Sequence, residues 1–173
     1  PKDNDSLGWV RVTDGTNNIL LVSEGGKVIQ FPEDDVRVMG RAAAGVRGMK
    51  VADSDALIEG CVVGSQDMYI FTISETGMGK ISSLEEYREQ GRGGSGIKVS
   101  ATTTKTGKII AAFTLSEEEK QAKSVILVSR SGQTVRLPLA DIRITGRNTQ
   151  GVILAKLKDT DDTFTSATLA EEE

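Results

Sequence analysis

Short apolar runs, each followed by a glycine-bearing turn, alternate along the chain with polar stretches. Residues 19–23 form one run, Glu24-Gly25-Gly26 a tight turn, and residues 27–31 a second run that Pro32 ends. Glycine supplies the positive φ that a tight hairpin turn needs, so this spacing predicts two antiparallel strands. Residues 46–51 and 56–63 predict a third and a fourth. The order then returns. Runs 68–74 and 79–82 flank Glu75-Thr76-Gly77, and 97–102 and 109–113 follow. It returns again as 124–129 and 134–137 about Arg130-Ser131-Gly132, with 152–158 and 164–169 behind. Ser23, Ser74 and Ser129 hold one place in each unit, and Gly26, Gly77 and Gly132 another. Helical periodicity is weak. The best helical candidate, 116–122, is charged all round and reads as a solvated loop.

Four short strands in each unit of roughly 50 residues predict an all-β, propeller-like array of four-stranded blades with three repeats visible. The array covers 8–169, with units at approximately 8–63, 64–113 and 114–169, and residues 170–173 form an acidic C-terminal tail. Residues 8–12 occupy the place that 60–63 hold before the second unit, so they read as the last strand of an earlier unit. An unpaired sheet edge invites association, so that strand either closes onto the three units or belongs to a longer array.

A second pattern rides on the first. Arg37-Val38-Met39-Gly40-Arg41 is followed after three residues by Gly45-Val46. Arg88-Glu89-Gln90-Gly91-Arg92 leads in the same way to Gly96-Ile97, and Arg143-Ile144-Thr145-Gly146-Arg147 to Gly151-Val152. The shared form is R-x-x-G-R-x-x-x-G-[VI], at offsets of 51 and 55 residues. Six of the ten arginines fill its two basic positions. The glycines have a sufficient explanation in sharp turns. A turn needs no guanidinium, however, and three copies in phase favour something negative and periodic over surface charges paired with nearby acids. Nucleic-acid backbone fits that description. Arg47 and Lys98 share one repeat position and Lys50 and Lys156 another, which extends a candidate basic track. Lys27, Lys80 and Arg136 are less regular additions.

Composition narrows the chemistry. With 21 Lys and Arg against 25 Asp and Glu, the net charge is −4. A uniformly basic nucleic-acid binder is therefore excluded, while a local basic patch is not. Much of the acid lies in Glu117-Glu118-Glu119, in 159–162 and in Glu171-Glu172-Glu173. The absence of histidine removes imidazole nucleophile systems, proton shuttles and His-ligated metals, and a single cysteine removes internal disulfides. Cys61 reads as a small hydrophobe in an apolar run. No catalytic and no metal-binding residue is read. No signal peptide or membrane span is evident, so the cytoplasm is the expected compartment and no membrane contact is expected. Residues 91–96 satisfy G-x-G-x-x-G, but a β-branched run follows where a dinucleotide site needs a helix.

These motifs resemble the C-terminal domain of the bacterial DNA gyrase A subunit, whose close relative is the A-type subunit of topoisomerase IV. The most specific match runs from Ile144 to Leu154, through Gly146-Arg147-Asn148-Thr149-Gln150-Gly151, and Val36 to Gly48 resembles an earlier repeat. The resemblance covers about 8–169. It implies a β-pinwheel whose blades exchange strands, with double-stranded DNA wrapped on a basic rim. It implies DNA-binding roles for Arg37, Arg41, Arg47, Lys50, Arg88, Arg92, Lys98, Arg143, Arg147 and Lys156. It also implies partners, namely the gyrase B subunit with the rest of the gyrase A subunit, in an A2B2 enzyme that uses ATP and magnesium for negative supercoiling. No cofactor is expected in this chain, which would be a non-catalytic part of that isomerase. Two departures stand out. Such domains usually carry six blades, and three are visible here. The family box Q-R-R-G-G-[KR]-G is present only as the degenerate Gln90-Gly91-Arg92-Gly93-Gly94-Ser95-Gly96, with glycine for the first arginine and Ser95 for the basic residue. The alternatives are a topoisomerase IV-type domain and a protein-binding scaffold without a DNA role.

Overall fold

The computed structural model describes residues 6–172. Its framework is three hairpins, one per repeat. In the first, β1 (Asn18–Ser23) pairs antiparallel with β2 (Lys27–Pro32). In the second, β4 (Asp67–Ser74) pairs with β5 (Met78–Ser83), and in the third, β8 (Lys123–Ser129) with β9 (Thr134–Pro138). The turns are built alike. Gly26, Gly77 and Gly132 have φ of 78°, 79° and 88°, and each donates its N–H to the carbonyl of the buried serine three residues earlier at 3.0 Å. Only glycine enters that left-handed region freely, which is why the turn residue recurs with the strands.

A long strand then lies on the far side of the first strand of each hairpin. These are β3 (Leu57–Val63) on β1, β7 (Ile109–Ser116) on β4 and β11 (Phe164–Glu171) on β8. The fourth strand comes from the next repeat. β6 (Ile97–Lys98) pairs with β2 through Lys27↔Lys98 and Val28↔Ile97. β10 (Val152–Ile153) pairs with β5 through Gly79↔Val152 and Met78↔Ile153. The sheets are therefore β3-β1-β2-β6, β10-β5-β4-β7 and β11-β8-β9, all antiparallel, with three strands in the last.

Side chains alternate between the two faces of each sheet, and adjacent sheets share the cores between them. Leu20, Val22 and Val28 of the first sheet meet Ile70, Leu84, Tyr87 and Ala112 of the second unit. Phe71, Ile73 and Ile81 on the opposite face of the second sheet meet Val125, Leu127, Leu139 and Phe164 of the third. A smaller cluster of Ile29, Phe31 and Met49 covers the outer face of the first sheet.

Several expectations are corrected here. Residues 46–51 form no strand; they lie irregularly across the first sheet, with Met49 buried and Gly48 against Leu21. The runs 97–102 and 152–158 shorten to two-residue strands, because only that much of each reaches the neighbouring hairpin. Residues 8–12 form no strand either, although Trp9 packs on Gly60 and Arg11 pairs with Glu59 at 3.1 Å. Residues 116–122 are not a loop: α1 (Glu117–Ala122) is a short helix. A capping box stabilises it, with the Ser116 hydroxyl accepting from the Glu119 N–H and the Glu119 carboxylate from the Ser116 N–H. Of the expected tail, Ala170 and Glu171 belong to β11, and Glu172 accepts from Ser124 while its N–H donates to the Ala122 carbonyl. Glu173 lies outside the described residues.

Candidate nucleic-acid interface

Each arginine motif follows a single 3₁₀ turn, Glu33–Asp35, Leu84–Glu86 or Leu139–Asp141, that ends its hairpin. A proline or serine precedes the turn and stops the strand: Pro32, Ser83 and Pro138. The chain then crosses toward the preceding unit. Gln90 N–H donates to the Gln30 carbonyl and Thr145 N–H to the Ile81 carbonyl, both at 2.8 Å. Beyond the motif, Val99 and Ser100 donate to the Gly26 carbonyl, and Leu154 and Ala155 repeat this on Gly77. The second and third loops are thus fixed at both ends on the hairpin before them, and their arginines stand at equivalent places.

The two arginines of a motif are not equivalent. Arg37, Arg88 and Arg143 are exposed, and among the described residues none has a hydrogen bond or ion pair. Arg92 and Arg147 are half-buried and latch adjacent units. Arg92 Nη1 donates to the Arg47 carbonyl at 2.7 Å, its Nε to the Asp35 carbonyl at 3.1 Å, and its N–H to the Asp35 carboxylate at 3.2 Å. Arg147 repeats the pattern one unit later, with Nη1 on the Lys98 carbonyl at 3.3 Å and its N–H on the Glu86 carboxylate at 2.7 Å. Arg41 is exposed and unpartnered among the described residues. The sequence carries no sign of this division, since the latch depends on carbonyls 45 and 49 residues away.

The remaining candidates fall into two groups. Arg47, Lys50 and Lys98 are exposed and gather at the first junction, where Lys50 N–H donates to the Gly94 carbonyl. Lys156 is exposed but sits by the third hairpin, its carbonyl accepting from Gln133. Lys27, only a minor addition in the sequence, proves closely placed. It is directly opposite Lys98 in the ladder, both are exposed, and neither has an acidic partner among the described residues. Like charges facing each other destabilise a sheet unless an anion lies between them. Among the described residues the ion pairs involve Arg11, Lys108 and Lys123. None of the ten candidate cations is neutralised that way.

Lys80 is a correction to the basic track, because it is buried. Its ammonium donates to the carbonyls of Thr149 at 3.0 Å, Gly146 at 3.4 Å and Arg147, and so pins the third loop from below. Burial pulls its pKa down to about 8. The equivalent residue under the second loop is Ile29, whose Cδ1 faces Gly94. The degenerate box has a structural share as well. Gly93 N–H donates to the Gly48 carbonyl, and Gly96, with φ of 69°, stands where a Cβ would lie 2.5 Å from the Val28 carbonyl. Gln90 is half-buried, while Gly91 and Ser95 are exposed. Cys61 is half-buried with its thiol on the Ala112 carbonyl at 3.9 Å, and burial pushes its pKa up to about 12, which leaves it unreactive.

The family model described as "DNA gyrase C-terminal domain, beta-propeller" matches the chain three times, over 17–59, 69–116 and 123–170. The chain belongs to this gyrase family. The DNA gyrase A subunit of Haloquadratum walsbyi is 39% identical over 159 residues, 91% of this chain and 18% of that protein. The gyrase A subunit of Pseudomonas aeruginosa is 39% identical over 156 residues, 90% of this chain and 16% of its own. The chain therefore spans less than a fifth of these relatives. Among solved structures, the C-terminal domain of DNA topoisomerase IV superposes with a TM-score of 0.82 at 23% identity, over 93% of this chain and 49% of that one. The DNA gyrase A C-terminal domain gives 0.76 at 24%, over 88% and 50%. The fold is the gyrase A β-pinwheel, all-β with three antiparallel sheets.

Proposed function

We propose that the chain binds duplex DNA by its phosphate backbone and bends it across successive arginine loops, as the wrapping domain of a gyrase A subunit. The observation that carries this reading is the row of exposed cations at repeated positions, none of them in an ion pair, with Lys27 and Lys98 facing each other at one junction. Arginine suits such a rim because its planar fork is always charged and meets phosphate oxygens in pairs. Contacts of this kind position a duplex without reading its sequence. Bending a short site costs on the order of 1–6 kcal/mol, which contacts at regular steps along the bend offset. Arg92, Arg147 and Lys80 fix the loops against the framework, so the exposed cations are held in place before DNA arrives. The handedness of the path across the loops then sets the sign of the trapped supercoil.

In the whole enzyme this reading places the chain beside the gyrase B subunit, with the remainder of its own subunit, in the cytoplasm. ATP and magnesium serve the holoenzyme elsewhere, and strand cleavage is no part of this chain. A topoisomerase IV-like role is the second reading. It rests on Gly91 and Ser95, which stand where the family box carries basic residues and so lower the charge of that loop.

The test is duplex retardation by the wild type and by the triple variant Arg37→Gln, Arg88→Gln, Arg143→Gln. The expected result is binding that collapses in the triple variant while the melting curve is kept. Undiminished binding would remove the arginine row from the interface. Retention of an acidic protein partner, without DNA binding by the wild type, would favour the scaffold reading.

A further inference from the structure

The second and third arginine loops rest on different supports. Under the second lies Ile29, whose Cδ1 would stand 3.4 Å from a Cβ on Gly94. Under the third, one repeat later, lies Lys80, only 1% exposed in β5. Its ammonium has three N–H donors and meets three carbonyls, those of Gly146, Arg147 and Thr149. The Gly146 carbonyl is also held by the Thr149 N–H at 3.1 Å and by the Thr149 hydroxyl at 2.8 Å. Among the described residues, the Arg147 and Thr149 carbonyls have no hydrogen bond but the one from Lys80. The three carbonyls lie between Arg143 and the start of β10 at Val152, so they set the course of the loop that carries its cations.

This support holds a proton it can lose. Bonds from an ammonium to carbonyls are charge-assisted, roughly twice as strong as neutral ones. A neutral amine keeps two N–H donors and turns a lone pair toward the third oxygen. The remaining bonds weaken, and a positive charge disappears from directly beneath the loop. Burial already disfavours the ammonium and draws its pKa down to about 8. Glu86 of the adjoining 3₁₀ turn favours the charge, and Arg147 of the loop itself opposes it. Thr72 and Ser74 of β4, Ser100 and Thr106 of the first junction and Gln150 of the loop share the small space beside Lys80, and none of them titrates. Tyr87 feels the same Glu86 and Arg147, but burial pushes it up to about 12.

We propose that the third arginine loop is gated by one proton: it grips DNA while Lys80 is charged and loosens when Lys80 is neutral, whereas the second loop, seated on Ile29, has no such gate. The inference rests on the DNA-binding reading and adds a regulation to it. Lys80 is buried, so it acts by positioning the loop. Linkage is reciprocal. Phosphates drawn to Arg143 and Arg147 favour the ammonium beneath them, so DNA binding takes up a proton where free Lys80 is partly neutral.

The experiment is duplex binding by the chain from about pH 7 to about pH 9.5 at constant ionic strength, with calorimetric titrations at about pH 8.5 in two buffers of different ionisation enthalpy. Wild-type affinity is expected to fall about fivefold or more across the range, and the two buffers to report net proton uptake. Lys80→Met places an apolar side chain where the second loop already rests on one, and melting checks that it folds. Its affinity at neutral pH should match that of the wild type at alkaline pH, and its own pH dependence should be nearly flat. It also subtracts every other group that titrates in the range. A merely structural lysine would lower affinity in the variant yet give no proton uptake in the wild type. Wild-type binding that ignores pH and buffer overturns the proposal and leaves the DNA-binding reading standing, and so does a pH response that Lys80→Met shares. Absence of binding at neutral pH overturns both.

Discussion

Replacing Arg88 or Arg143 by alanine removes an exposed cation that has no partner among the described residues. Each change is expected to weaken binding uniformly across DNA sequences, to lower the salt slope by about 1, and to leave the melting temperature alone. Arg92→Ala and Arg147→Ala should behave differently, because their guanidiniums hold carbonyls of the preceding unit. Loss of these half-exposed, charge-assisted bonds is expected to cost about 1 kcal/mol, read as a melting shift of a few degrees. Unchanged melting in both would show that the latch contributes nothing. Lys80 gives a pH test. Its pKa is depressed when folded, to about 8 against an ordinary 10.5, so the unfolded chain holds the proton over the window between them. Wild-type stability should therefore rise relative to Lys80→Met as pH climbs through that window. A difference that stays flat in urea titrations there would mean that the three carbonyls hold the ammonium at its ordinary value.

At the scale of elements, what is legible in the sequence depends on whether the cause is local. The hairpins at Gly26, Gly77 and Gly132 follow from turn chemistry carried by three or four adjacent residues, and the runs around them fall within a residue or two of the strands. Residues 46–51 have the apolar character of a strand but no edge to pair with, so they become a cover for Ile29 and Phe31. Pairing is a property of the host, which no periodicity in the guest reveals. The same reason shortens 97–102 and 152–158. Helix α1 escapes a reading by periodicity because its charged surface hides a local signal, Ser116 three residues before Glu119. Ser116→Ala is expected to cost about 1 kcal/mol, with the loss confined to α1 in hydrogen exchange. Truncation of 171–173 tests the expected tail. With Glu171 paired to Lys123 in β11 and Glu172 bonded to Ser124, the truncated chain should melt earlier and bind DNA no more tightly at low salt. Tighter binding would restore a free acidic tail.

For the whole molecule, the repeat itself is plain in the sequence, because the motif, the serines and the glycines recur together. The division of each arginine pair into one free and one latched residue is not, since it arises only when neighbouring units meet. If DNA runs across the loops, contact length grows with the number of units, so the three loops described here should bend a duplex and hold only a short stretch of it. Ligation of a nicked plasmid with the chain bound should accordingly give a small linking-number change per molecule. The most direct test of the central claim is the salt dependence of affinity for two duplexes of unrelated sequence. About six neutralised phosphates predict a slope of log K against log salt near −5, the same for both duplexes. A flat response, or a strong preference for one duplex, would contradict a backbone-gripping arginine row.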